Sequence, residues 1–203
     1  MIKKNIILIG IFTAILLFVV AAFYYPGGSQ IDKNTIGYDW ENNYLCHLFN
    51  DKAINGKENA SMLWAILGMF VLCVTISLFF IRFSNKIKSP HAALIIRYTG
   101  SAAMLAAFFV ITPYHDVMTT IASILALITL FYITIFIFRS NLKYFKLLSV
   151  FCILILYVNN FIYYTGQFLR LLPVMQKISF VCIVIWILGL EYFTTKGDFQ
   201  LSK

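Results

Sequence analysis

Six long apolar stretches run through this chain, and they constrain its fold more than any other feature. They lie at residues 5–24, 61–82, 93–112, 114–138, 147–166 and 173–193. A helix needs about 20 consecutive, mostly apolar residues to cross the hydrocarbon core of a bilayer. Each stretch meets that length, so the sequence predicts six membrane-spanning helices, each satisfying its own backbone polar groups.

The composition excludes an ordinary soluble domain. Hydrophobic residues make up 61% of the chain and charged residues 12%, and the mean hydropathy is +0.85, whereas roughly a quarter of residues are charged in soluble domains. The six stretches occupy most of the 203 residues. We therefore expect residues 1–203 to form one all-α domain, a six-helix transmembrane bundle.

Basic residues cluster on alternate sides of the stretches. We expect the clusters to be cytoplasmic because short translocated loops lose lysine and arginine. They are Lys3 and Lys4; Arg82, Lys86 and Lys88; Arg139, Lys143 and Lys146; and Lys196 and Lys203. Both termini are thus predicted to be cytoplasmic. The net charge of +8 suits anionic lipid headgroups and requires no nucleic-acid partner.

The first stretch resembles a signal peptide because a basic start precedes it. Its apolar run of about 19 residues exceeds the 7 to 15 of a signal core, so we expect an uncleaved anchor. The four cysteines have no C-x-x-C spacing, and three of them fall within the stretches. They are predicted to be small buried residues and not a redox or zinc set.

The first outer loop, roughly residues 25–60, contains an amphipathic segment between Asp39 and Asp51. Its apolar residues recur at helical spacing, which predicts a short interfacial helix. The other face of that helix carries Asn43, His47 and Asp51. This polar face either is wetted by solvent or faces a polar pocket. In a pocket His47 would act as acid, base or ligand, because imidazole titrates near neutrality.

A very short outer connection joins the third and fourth stretches. Thr112 is a candidate N-cap and Pro113 suits the first helical position, so helix four is predicted to begin here. Asp116 is favoured in a first turn by the helix dipole. Alternatively it opens a polar row that faces the bundle interior, formed by Asp116, Thr119, Thr120 and Ser123. His115 lies roughly 100° from Asp116 around a helix, so the two need not interact.

Polar residues also lie in the outer halves of helices five and six. One row contains Asn159, Tyr163 and Gln167, and the row beside it contains Asn160 and Tyr164. Hydrogen bonds between helices are their default explanation, at roughly 0.6 to 2 kcal/mol each. Nearby basic and amide side chains either snorkel or bind an anionic group; they are Arg170, Gln176 and Lys177. At the inner end, Arg97 and Glu191 either anchor their helices or form an ion pair.

Three short motifs carry a family resemblance: Tyr25-Pro26-Gly27-Gly28, Asn42-Asn43-Tyr44-Leu45-Cys46-His47-Leu48 and Thr112-Pro113-Tyr114-His115-Asp116. With the six spans, they make the chain similar to the bacterial membrane family called domain of unknown function 998. The resemblance covers most of the chain and implies its fold and membrane location, but no activity. The richness in Ile, Lys, Phe and Asn is typical of an AT-rich bacterial genome. We therefore expect a multi-pass protein of the bacterial cytoplasmic membrane.

The first functional hypothesis is a non-enzymatic protein. It would bind membrane lipids or another membrane protein at a polar site on the outer face. The candidate binding residues are Asn43, Asp51, Asn159, Asn160, Tyr163, Gln167, Arg170 and Lys177.

The second hypothesis is an intramembrane hydrolase or transferase acting on a lipid headgroup. Its candidate catalytic residues are His47, His115 and Asp116, acting as acid and base or as zinc ligands. Zinc normally takes three or four protein ligands, and no H-x-x-x-H pair is present. No cofactor is predicted firmly, and nothing in the spacing of the histidines requires haem.

The third hypothesis is a small transporter, with the polar rows of helices four and five lining a path. Transporters often have broken helices or repeated halves. The spans here are uninterrupted, which favours a pocket open on one side.

Overall fold

The computed structural model describes residues 2–199, and the side chains of residues 5–199. Its long helices are α1 (Ile2–Tyr24), α2 (Met62–Ser84), α3 (Pro90–Phe108), α4 (His115–Phe138), α5 (Lys143–Thr165) and α6 (Leu172–Phe193). Short 3-10 helices cover Leu45–Phe49, Phe109–Ile111, Leu169–Leu171 and Lys196–Phe199. Residues 2–199 contain no β-strand, only isolated bridges. Lys203 and the side chains of Lys3 and Lys4, used above to predict orientation, lie outside the described residues.

Six helices of the described chain are long and apolar enough to cross a membrane. This confirms the predicted all-helical fold with six helices of spanning length, and it fits an integral membrane protein. Large apolar side chains are exposed around the bundle, among them Phe12, Leu147 and Phe193. Such a surface would be a liability in water, whereas in a bilayer it faces lipid chains.

The helix boundaries differ from the apolar stretches where polar residues extend a helix. α3 begins at Pro90 because the Ser89 hydroxyl accepts a hydrogen bond from the Ala92 amide and caps the first turn. α5 begins at Lys143, four residues before the predicted start. Its last residue is Thr165, and Gly166 caps it with a φ of 71°, the left-handed conformation that glycine adopts at low cost.

The predicted cap of helix four was wrong. α4 begins at His115, and Thr112 instead ends the preceding 3-10 turn. The Thr112 hydroxyl donates to the carbonyl oxygen of Phe109 at 2.7 Å, so its side chain is engaged with the preceding segment.

Sequential helices pack against one another, and α6 closes the bundle against α1 and α2. Aromatic pairs mark the closing contacts: Phe18 meets Phe180 with ring centroids 6.4 Å apart, and Phe79 meets Trp186 at the same separation. α2 and α3 approach closely at Gly100, where an added Cβ would lie 2.5 Å from the Phe80 ring.

The bundle has two chemically different ends. The loop end carries residues 25–61, the carboxyl ends of α1, α3 and α5, and the amino ends of α2, α4 and α6. Its position follows from hydrogen bonds that the loop makes to the start of α6. The opposite end carries the α2–α3 and α4–α5 turns and the carboxyl end of α6.

At the opposite end, α6 is tied to α2 and to the turn that follows it. The Arg82 guanidinium lies 2.6 Å from a carboxylate oxygen of Glu191. The Lys86 ammonium donates to the carbonyl oxygens of Leu190, Glu191 and Thr194 at 2.9–3.0 Å. These are carbonyls that a helix end leaves without intrahelical partners. Arg97, the predicted partner of Glu191, instead donates to Ser84 and Asn85.

Candidate functional site

The loop of residues 25–61 is folded around buried asparagines. Asn43 is 0% exposed, and its side-chain amide donates to the carbonyl oxygen of Gly28 at 2.9 Å. The carbonyl oxygen of Asn43 accepts from the Tyr38 hydroxyl at 3.1 Å. Gly28 has a φ of +87° and packs against the backbone of Ile54 and Asn55, so a side chain there would be both strained and obstructed. The loop is therefore a fixed cap on the bundle.

The predicted helix between Asp39 and Asp51 is shorter than expected, since only Leu45–Phe49 is helical. The Asp39 carboxylate accepts from the backbone amides of Glu41 and Asn42 at 3.0 and 3.1 Å. These bonds hold the first residues in a turn that competes with helix formation. At the far side, the Asn59 amide donates to the carbonyl oxygens of His47, Leu48 and Asn50.

His47 is 7% exposed and does not face an open polar pocket. Its Nδ1 accepts from the Tyr44 backbone amide at 3.2 Å, and its Nε2 lies 3.1 Å from the side-chain amide of Gln30. Because Nδ1 accepts, the neutral ring carries its proton on Nε2. Burial, and secondarily the charge of Lys177, lower the pKa of His47 to about 4. Near neutral pH the ring is therefore uncharged, with Nδ1 engaged by Tyr44 and an Nε2–H that the Gln30 amide accepts only through its oxygen.

The first turns of α6 hold this cap. The Lys177 ammonium donates to the carbonyl oxygens of Asn43 and Pro173 at 2.6 and 2.9 Å and lies over the Tyr38 ring. The side-chain amide oxygen of Gln176 accepts from the Leu45 backbone amide at 3.0 Å. Two of the three residues predicted as snorkelling or anion-binding groups thus join α6 to the loop.

A second polar group joins α4 to α5 at the loop end. His115 Nδ1 and the Tyr163 hydroxyl both lie at one carboxylate oxygen of Asp116, at 3.0 and 2.6 Å. Thr120 lies one turn further along α4 than Asp116, and its hydroxyl is 2.8 Å from the hydroxyl of Tyr164. His115 reaches its neighbour although a continuous helix would separate them. The reason is that it is the first residue of α4, with no preceding turn to restrict its side chain.

The structure brings together only part of the predicted site. His47 and His115 share no hydrogen-bonding partner, and the described residues contain no group of three or more His, Cys, Asp or Glu side chains that would hold a metal. Other candidates are exposed and form no side-chain hydrogen bond within residues 5–199; they are Asp51, Gln167 and Arg170.

A cavity of about 220 Å³, not predicted from the sequence, lies among α2, α3, α4, α5 and α6. Large apolar side chains line its deeper part: Ile76, Phe80, Leu130, Ile183, Trp186 and Ile187. On α4 the wall is built of small residues at helical spacing, Ala122, Ser123 and Ala126. Large side chains facing small ones leave the space unfilled. That run of small residues was the available signal in the sequence.

Two lining residues, Ser123 and Asn160, carry polar groups. Ser123 lies eight residues into α4 and Asn160 five residues before the end of α5, so at 1.5 Å per residue they are about 12 and 8 Å from the loop end. Trp186, fourteen residues into α6, is about 21 Å deep. The two polar residues therefore lie in the half of the cavity nearer the loop end, together with the apolar Met104 and Ala122, and the part beyond them is wholly apolar.

The two adjacent asparagines of α5 have different roles. Asn159 donates to the hydroxyl of Ser179 on α6, and its amide oxygen is buried without a partner. Asn160 donates to the carbonyl oxygen of Leu156 within its own helix at 2.8 Å. Asn159 thus joins α5 to α6, as expected for a packing residue, whereas Asn160 lines the cavity.

A larger hollow, about 480 Å³, lies on the surface of the loop beside Lys33, Asn55 and Lys57. Its lining comes from the loop of residues 25–61 alone. The cavity among the helices is the better candidate because residues of five helices line it and most of them are apolar.

No family model, curated protein or solved structure matches this chain. The resemblance to domain of unknown function 998 therefore stays a prediction.

Proposed function

We propose that this protein binds the hydrocarbon chain of a membrane amphiphile in the cavity lined by the five helices from α2 to α6. The observation that carries the proposal is the lining of the cavity. Its apolar body is at the depth of lipid chains, and its polar groups, Ser123 and Asn160, lie toward one end. A lipid in one leaflet has the same arrangement, with a polar headgroup at one end of an apolar chain.

The size of the cavity supports a segment of a hydrocarbon chain as its occupant. An engineered apolar cavity of about 150 Å³ stays free of water and binds benzene, and this one is about 220 Å³. An empty void deprives its lining atoms of dispersion contacts on one side. Between a bilayer and a protein interior, both apolar, such contacts are a main source of affinity.

The helix packing supports a lateral route between α4 and α5. Of the sequential helix pairs, these two make the least extensive contact. Their polar links near the loop end are side-chain hydrogen bonds between Asp116 and Tyr163 and between Thr120 and Tyr164. Such links break without disrupting either helix.

We further propose that the loop end is the outer one, with both termini cytoplasmic, in a bacterial cytoplasmic membrane. The support is the basic residues at the opposite end, among them Arg82, Lys86 and Arg97, which follow the charge bias of cytoplasmic loops. Trp40 and Trp64 are exposed near the loop end, as expected at a headgroup boundary. The short helix Leu45–Phe49 would then lie at that boundary.

The proposal is tested by native mass spectrometry of the protein purified in mild detergent. Ala126→Phe places a ring in the cavity, and the matched control Ile128→Phe places the same ring on the exposed face of α4. We expect a retained amphiphile in the wild type and the control, with at least a tenfold loss in Ala126→Phe. Equal retention in both variants would contradict the proposal.

A further inference from the structure

The polar atoms at the loop end of the cavity define which headgroups fit there. Ser123 and Asn160 line the cavity itself. The Asn160 amide nitrogen donates one of its two N–H groups to Leu156, so the amide oxygen is left as an acceptor and the second N–H as a donor for a ligand. The Ser123 hydroxyl makes no hydrogen bond within residues 5–199, and it can donate or accept.

Two buried oxygens on residues close to the lining in sequence, but outside the lining itself, also lack partners. The Thr119 hydroxyl lies one helical turn from Ser123 toward the loop end, and the Asn159 amide oxygen belongs to the residue beside Asn160. Buried polar atoms in proteins are nearly always hydrogen-bonded, so unpartnered ones call for an explanation. Amide oxygens accept and cannot donate. The amide oxygens of this region offer acceptors, and each hydroxyl offers both a donor and an acceptor.

No cationic side chain lines the cavity. Lys177, toward the loop end of α6, is engaged by carbonyl oxygens of the loop and of its own helix. Arg170 is exposed in the turn beyond α5. The charge on α4 nearest to this end is the carboxylate of Asp116, which would repel an anion. A phosphate or carboxylate at Ser123 would thus be buried without a countercharge, which is strongly unfavourable.

We infer that the ligand is a neutral lipid with a hydroxyl-bearing headgroup, such as a monoacylglycerol or a long-chain alcohol. Its hydroxyl donates to the Asn160 oxygen and exchanges a hydrogen bond with Ser123, while its chain fills the apolar part. This inference rests on the proposed function, because it names the class of lipid held by the same cavity. It excludes lysophospholipids and fatty acids as preferred ligands.

The test compares two ligands with the same chain. Monooleoylglycerol and oleoyl lysophosphatidic acid are added separately to the detergent-solubilised full chain at equal mole fraction, and occupancy is read by native mass spectrometry. We expect at least tenfold higher occupancy by monooleoylglycerol. Ser123→Ala and Asn160→Leu should each reduce this preference several-fold while the chain still binds, and Arg170→Gln should leave it unchanged.

The possible outcomes distinguish the inference about the lipid class from the proposed binding of a chain. Equal or greater occupancy by the phosphate ligand, lost in Arg170→Gln, would overturn the inference and leave the cavity as a chain site. A preference for monooleoylglycerol that survives both Ser123→Ala and Asn160→Leu would also overturn it. Absence of binding by either ligand to the folded wild type would overturn the inference and the proposed function together.

Discussion

The ammonium nitrogen of Lys177 lies 2.6 Å from the carbonyl oxygen of Asn43, a residue 134 positions earlier in the chain. Lys177 belongs to the long helix α6, and Asn43 belongs to the loop of residues 25–61. Their contact fixes the loop over the start of α6, and Gln176 adds a second bond beside it. The loop is thereby part of the bundle.

Replacing Lys177 by Met should loosen this loop and leave the helices in place. The ammonium makes two hydrogen bonds to carbonyl oxygens, and bonds to charged groups contribute about 1.5–3 kcal/mol each. We expect a lower Tm and faster amide hydrogen exchange across residues 38–50. Lys33→Met, in the exposed part of the same loop, is the matched control. Unchanged exchange in Lys177→Met would show that the loop is held by other contacts.

His47 should make the stability of the protein depend on pH in the acid range. Its folded pKa is about 4 and its unfolded pKa about 6.5. Between these values the unfolded chain binds the extra proton, so stability is complete above pH 6.5 and falls as the pH drops toward 4. The slope is at most about 1.4 kcal/mol per pH unit.

The measurement is the Tm in detergent at pH values from 7.5 to 4.5. His47→Gln should flatten the dependence. His91→Gln, at an exposed histidine, should retain the slope of the wild type. A wild-type slope that persists in His47→Gln would assign the effect to another group.

A methyl group at Gly100 should affect the cavity from a distance. Its Cβ would lie 2.5 Å from the Phe80 ring, and Phe80 lines the cavity. Overpacking costs about 1–3 kcal/mol, unless the ring moves into the free space. We expect Gly100→Ala to lower both the Tm and the retained amphiphile, as measured by thermal melting and native mass spectrometry. Ala102→Val, on the exposed face of α3, should change neither.

The fold was predictable because bilayer-spanning helices leave a strong local signal. Each stretch of about 20 apolar residues specifies its own hydrogen bonding, so the number and order of helices require no knowledge of tertiary contacts. Helix boundaries were less well predicted. Hydropathy marks the apolar core, whereas the start of α5 at Lys143 extends beyond it.

The site was predictable only in its parts. Polar residues such as Ser123 and Asn160 stand out in an apolar helix, and the sequence marks them at once. His47 has a structural role because it is buried and contacts Tyr44 and Gln30. The hydropathy of the sequence contains no information about these contacts. The cavity depends on how the side chains of five helices pack together. No single residue in the sequence marks a volume that packing leaves unfilled.

The most direct test of a chain-binding cavity uses the fluorescence of Trp186. This indole is fully buried at the cavity, where it donates to the Ser149 hydroxyl at 2.8 Å. The chain has three tryptophans, so Trp40→Phe with Trp64→Phe leaves Trp186 as the reporter. An amphiphile brominated near the end of its chain, tested as a monoacylglycerol and as a phospholipid, is added at low mole fraction in detergent.

The account predicts saturable quenching of Trp186 by at least one of these amphiphiles, abolished when Ala126→Phe fills the cavity and retained in Ile128→Phe. Quenching that does not saturate and is equal in both variants would mean that bromine reaches Trp186 from the surrounding detergent, and the central claim would be wrong.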